Sequence, residues 1–152
     1  MKRFFYLLPS CFSLFVLCSG CTNSTEEKGE YVFKEHSYNE IKDFEITWDE
    51  IFDQKRPNYY VYAYGLSCPH CNNIKNEIIE FALSNQKTYF CLILSGFDKY
   101  TDFAENTIGA TSVEYLAIKG TPTLIEIHDG AVVNNICGDL TIKEEILSYF
   151  NA

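Results

Sequence analysis

The sequence predicts one α/β domain with a mixed central sheet flanked by helices, and three observations predict it. First, Tyr60, Val61, Tyr62, Ala63 and Tyr64 form a β-prone run that is apolar throughout, as expected for a strand covered on both faces. Second, Cys71, Ile74, Ile78 and Phe81 recur at spacings of three and four, so a helix follows that strand; another apolar run at 89–94 completes a strand–helix–strand unit, whose crossover is right-handed. Third, Thr123, Leu124, Ile125, Glu126, Ile127 and His128 form a strand, Asp129 and Gly130 a tight turn, and residues 131–137 a returning strand. The unit needs parallel strands and the hairpin antiparallel ones, so the sheet is mixed.

The remaining elements follow in chain order. Lys2 and Arg3 precede an apolar run from Phe4 to Cys18, too short to span a bilayer comfortably, which reads as a targeting leader over 1–20. Residues 21–39 are polar, with scattered aromatics and no sustained period, and read as a tether. The domain then occupies 40–152. Thr47 with Glu50 three residues on gives a capping box, Trp48, Ile51 and Phe52 the buried face of a helix, and Pro57 its end. Residues 97–110 are polar and mixed, an irregular or helical insertion. Thr141 with Glu144 gives a last capping box, and Ile142, Ile146, Leu147 and Phe150 give the final helix an apolar face.

Composition and charge narrow the function. The chain has 152 residues and is 47% hydrophobic, enough for one core but with no room for a second domain. Loss of Lys2 and Arg3 with the leader leaves ten basic against 21 acidic side chains, a net charge of −11. Such a surface repels phosphate backbones and anionic head groups, which argues against nucleic acid as a partner and leaves membrane attachment to a covalent anchor. Ser19 and Gly20 before Cys21 resemble the lipobox of bacterial lipoproteins, which implies acylation of Cys21 as the mature N-terminus. Cys18 stands where that family usually has Leu, and an ordinary secretory signal is the alternative; either one exports the chain.

Cys68, Pro69, His70 and Cys71 place two thiols one helical turn apart, near enough for a disulfide. Pro69 suits the first helical position, which makes Cys68 the N-cap. Backbone N–H groups at the helix start favour a Cys68 thiolate, and a protonated His70 adds positive charge beside it. A thiolate stabilised in this way makes the disulfide oxidising. Cys71, inside the helix, is the resolving thiol. A structural zinc site normally needs a second ligand pair, and none stands at suitable spacing; Asn72 after Cys71 excludes haem attachment. A redox pair requires neither metal nor organic cofactor.

A strand, the CPHC motif opening a helix, a second strand, then Gly120, Thr121, Pro122 and Thr123 before a hairpin and a final helix resemble the thioredoxin superfamily over about residues 40–152. The resemblance implies a thioredoxin-like fold, a cis Pro122 facing Cys68, and a Thr121 backbone that receives an extended substrate peptide by strand addition. The CPHC sequence is similar to DsbA-type oxidases, whereas the small domain looks more like thioredoxin. Many members carry a buried carboxylate six residues before the first cysteine; Tyr62 stands there in this chain. Overall the chain also resembles small thioredoxin-like accessory proteins of Gram-positive bacteria, including those found with bacteriocin export.

The expected activity is thiol-disulfide exchange with cysteine-containing exported proteins or peptides by a lipid-anchored monomer. The alternatives are a reductase fed by a membrane thiol-electron carrier, a copper- or zinc-binding domain, and a peptide-binding module with an idle pair. Under the thioredoxin strand order, two strands separate those bearing Cys91 and Cys137. Three inter-strand steps span roughly 14 Å, too far for a disulfide, so both are expected to be buried free thiols. His36 and His128 are read as solvated, and Asp98, Asp102 and Glu105 as an exposed face.

Overall fold

A computed structural model describes residues 31–152. Its sheet has five strands: β1 (Glu45–Ile46), β2 (Asn58–Tyr64), β3 (Thr88–Leu92), β4 (Thr123–His128) and β5 (Ala131–Cys137), in the order β1-β3-β2-β4-β5. β3 runs parallel to β1 and β2, while β4 is antiparallel to β2 and β5 to β4. The mixed sheet of a thioredoxin-like fold is therefore present. Cys91 on β3 and Cys137 on β5 are separated by β2 and β4, and both are free; Cys91 is buried, but Cys137 is only half-buried.

The alternation of side chains across the pleat divides the core into two layers. Tyr62, Tyr64, Phe90 and Leu124 face one side, where Ile78, Phe81, Ile142 and Ile146 of the helices cover them. Tyr59, Val61, Ala63, Cys91, Ile125 and Ile127 face the other, covered by Ile51, Leu116 and Ile118 from irregular segments. The hairpin turn at Asp129 and Gly130 has φ of 49° and 78°, the left-handed pair that a two-residue turn needs.

Several boundaries differ from the sequence expectation, each for a physical reason. Residues 31–39 do not behave as a free tether: Phe33 and Tyr38 pack on the core, and the Lys34 N–H donates to Glu80 Oε2 at 2.8 Å. A 3-10 helix, Tyr38–Phe44, is capped by Ser37 and leads into the edge strand β1. The Thr47–Glu50 capping box forms, with Thr47 N–H donating to Glu50 Oε2 at 2.7 Å, but it opens only the single 3-10 turn Trp48–Glu50. The helix after Cys68 is divided at Ile74 into α1 (Pro69–Asn73) and α2 (Lys75–Asn85). The last helix, α3 (Asp139–Asn151), begins two residues before Thr141, with Gly138 as N-cap, so no Thr141–Glu144 box exists. Gly138 has φ 108°, a conformation that favours glycine, and its N–H donates to the Pro122 carbonyl at 3.0 Å. That bond ties the start of α3 to the loop preceding β4.

Candidate functional site

The site lies at one end of the sheet because β2 delivers its C-terminus there and antiparallel β4 begins there. Ala63 pairs with Thr123 across this end, so the turn after Tyr64 and the loop 120–122 meet. Gly65 sits at the junction: a Cβ built on it would lie 3.5 Å from Cys68 Cβ and 3.8 Å from Thr121 Oγ1.

Cys68 and Cys71 form a disulfide with Cα atoms 5.2 Å apart. Cys68 is the N-cap of α1 and half-buried; its Sγ accepts the Cys71 backbone N–H at 3.1 Å, and Pro69 occupies the first turn, where a missing N–H costs nothing. Cys71 is 0% exposed, within the layer that holds Tyr62 and Tyr64. The two sulfurs are thus chemically unequal, one reachable from solvent and the other enclosed. The Thr121–Pro122 bond is cis, and the Thr121 carbonyl oxygen lies 3.3 Å from Cys68 Sγ. In the disulfide that sulfur has no proton to donate, so the contact becomes a hydrogen bond only for the Cys68 thiol and disfavours its thiolate. The Cys71 N–H acts in the opposite direction. A shallow cleft of about 470 Å³ passes Cys68 between Leu66, Ile93, Leu94 and Thr121.

His70 pairs with the start of α3, its Nδ1 3.2 Å from Asp139 Oδ1, and two-thirds of its side chain is exposed. Asn73 Nδ2 donates to Asp139 Oδ2 at 2.7 Å. The Asn73 hydrogen bond first, and His70 second, hold the Asp139 carboxyl below its ordinary range. Asp139 is not among the site residues expected from the sequence. Antiparallel topology could have found it, since the residue following β5 must return to the end at which β4 begins.

Tyr62 occupies the carboxylate position of the resembling family and is fully buried. Burial, then the neighbouring Tyr38 ring, push its phenol well above the ordinary value, so it stays protonated at any physiological pH. It cannot take up a thiol proton. The Tyr62 and Tyr38 hydroxyls lie close enough to influence each other's titration, but neither meets a described residue in good hydrogen-bond geometry. Away from the site, burial first and Glu50 second push the Cys91 thiol up to about 12, which makes it inert.

Cys68, Cys71, Thr121 and Pro122 are therefore brought together, Pro69 shapes the turn, and His70 is shared with Asp139. Cys21 lies outside the described residues. His36 is not solvated as expected: its ring nitrogens face Glu40 at 3.1 Å and Glu80 at 3.5 Å. Among the described residues no three His, Cys, Asp or Glu side chains gather as metal ligands, and no helix is long and apolar enough to cross a membrane.

The strand order, the disulfide where a helix opens beyond β2 and the cis Thr–Pro bond beside it define a thioredoxin-fold protein carrying a CxxC disulfide. No family model matches the chain, and no curated protein matches it. Among solved structures it is similar to thioredoxin f2 of Chlamydomonas reinhardtii, at 17% identity over 71% of this chain and 93% of that one, with a TM-score of 0.47. It is also similar to oxidised mitochondrial thioredoxin 3 of Saccharomyces cerevisiae, at 14% identity over 68% and 92% of the two chains, TM-score 0.45. A third is described as a putative oxidoreductase with a thioredoxin fold, at 16% identity over 68% and 96%, TM-score 0.45.

Proposed function

We propose that this chain is an extracytoplasmic thiol-disulfide oxidoreductase that donates its Cys68–Cys71 disulfide to cysteine pairs in exported proteins or peptides. One observation carries the reading: a half-exposed Cys68 capped by the Cys71 N–H, bonded to a fully buried Cys71 and abutted by Thr121. A substrate thiolate attacks Cys68 Sγ; the disulfide breaks, Cys71 leaves as a thiolate and takes up a proton, and a mixed disulfide forms. A second substrate thiolate attacks its own sulfur in that bond and expels the Cys68 thiolate. The substrate loses two electrons and becomes a disulfide, and the enzyme pair gains them. A membrane thiol-electron carrier that accepts those electrons closes the cycle.

The oxidising direction is supported by the CPHC sequence, by the N–H bonded to Cys68 Sγ, and by Tyr62 in place of a proton-accepting carboxylate. Donation needs Cys71 only as a leaving group, whereas reduction of a substrate needs it deprotonated and attacking. The leader, the lipobox-like Cys21 and a net charge of −11 after leader removal support export with a lipid anchor. The test is the reduction potential of the pair in a glutathione buffer. A value near about −120 mV, the DsbA end of the scale, is expected; one near about −270 mV, where thioredoxin lies, would make the chain a reductase.

A further inference from the structure

A second cavity, of about 600 Å³, opens between β1, the Trp48–Glu50 turn and the loop after β3. It shares Leu92, Ile93, Leu94 and Ser95 with the cleft at Cys68, so the two adjoin along that segment. Its walls combine two features. Trp48 and Phe97 meet edge to face with centroids 4.7 Å apart and, with Ile46, present an apolar surface. Glu45, Asp49 and Glu50 supply three carboxylates, and no Lys, Arg or His lines the cavity. The indole N–H of Trp48 has no hydrogen-bond partner among the described residues.

We propose that this cavity receives a cationic, apolar segment of the substrate chain that flanks the cysteine undergoing exchange. The proposal rests on the reading of Cys68–Cys71 as an exchanging disulfide and adds the substrate class to it. A Lys or Arg over the aromatic pair meets ring faces and carboxylates together, while its alkyl stem covers the apolar wall. An acidic segment meets three like charges. Two inter-strand steps, Ile46 to Cys91 and Cys91 to Ala63, place β1 roughly 10 Å from β2. At about 3.3 Å per extended residue, the basic side chain belongs some three to five positions from the substrate cysteine.

Trp48 is the only tryptophan in the chain, so its fluorescence reports on this cavity alone. The oxidised full-length protein is titrated with extended apolar peptides whose cysteine is replaced by serine, carrying Lys or Glu about four positions away. The Lys peptide should change Trp48 emission with a midpoint about fivefold lower than the Glu peptide at low salt. Asp49→Lys should abolish that preference. Glu144→Lys makes the same charge change on the exposed face of α3 and should leave the preference intact. Equal midpoints for the two peptides, an unresponsive Trp48, or equal effects of the two variants would overturn the proposal, the last by reducing it to net charge.

Reduction of the disulfide by the cysteine-containing parent peptides is followed separately. A Trp48 response without disulfide exchange would sink the oxidoreductase reading and leave a cationic-peptide site. Exchange without charge preference would do the reverse.

Discussion

Tyr62→Phe tests whether a phenol in the carboxylate position carries protons or only fills space. The Tyr62 ring is fully buried between the sheet and the helices, and its hydroxyl approaches only that of Tyr38, without good hydrogen-bond geometry. In the unfolded chain that hydroxyl is hydrated, and a buried hydroxyl without a bond costs about 1–3 kcal/mol. Phe keeps the ring and its contacts with Phe90 and Tyr64, so no cavity of ring size opens. The expected change is a gain of about 1 kcal/mol, roughly fivefold in the folding equilibrium constant and about 3–5 °C in Tm. Urea unfolding of the oxidised protein should show a higher midpoint with an unchanged slope. The rate of disulfide exchange with a small dithiol, followed from pH 6 to pH 8, should be unaltered. A destabilised variant refutes the reasoning, because it means the hydroxyl is satisfied. If a buried water joins Tyr62 to Tyr38, both single Phe variants lose stability and the double variant recovers it, a coupling that a double-mutant cycle measures directly. Slower exchange with intact stability would instead make the phenol part of the proton path.

Glu80 gives the second prediction. Burial opposes its charge, but hydrogen bonds from Tyr31 and the Lys34 N–H, with the His36 ring 3.5 Å away, together hold its carboxyl below the ordinary 4.5. Because the folded group titrates below the unfolded one, its stabilisation is complete above about pH 4.5 and fades as pH falls through the folded value. Glu80→Gln should cost about 1–2 kcal/mol at pH 7, flatten the loss of stability below pH 4.5, and expose residues 31–36 to protease; unchanged cleavage there would refute the strap. Return attack of Cys71 on the mixed disulfide, the reverse of the donating step, should quicken about tenfold per pH unit from 6 to 8, because no buried base assists its deprotonation. Stopped-flow quenching on either side of pH 7 measures this, and a flat profile would reveal such a base.

The features legible in the sequence are those set by neighbouring residues. Cys68 to Cys71, the turn at Asp129–Gly130 and the β-prone run of β4 follow local rules, and each stands where the pattern places it. What escaped depends on contacts distant in sequence. Glu80 reads as an ordinary exposed helix residue until Tyr31 and Lys34, 49 and 46 positions away, close over it. Asp139 has no local signal, because its partners His70 and Asn73 belong to another helix. The Thr141–Glu144 pair met the local rule for a capping box, yet the bond from Gly138 to the Pro122 carbonyl started the helix earlier. The two-residue β1 is too short for any period to show, and it pairs only because β3 offers an open edge.

These distant contacts change how the redox pair must be understood. The sequence motif suggests that His70 sets the character of the thiolate, but His70 is mostly exposed and lies against the Asp139 carboxylate rather than against Cys68 Sγ. Asp139, held in its ionised form by Asn73 and His70, is a poor proton acceptor and a good anchor: it fixes α1 to the start of α3. The groups that touch Cys68 Sγ are instead backbone. The Cys71 N–H favours the thiolate and the Thr121 carbonyl opposes it, both within 3.3 Å. Opposed dipoles at that range make the balance depend on the positions of the N-cap turn and the 120–122 loop, and Gly138 holds the latter through Pro122. The surroundings of Cys68 Sγ therefore depend on how the end of β5 fixes the loop across from it as well as on the dipeptide between the cysteines.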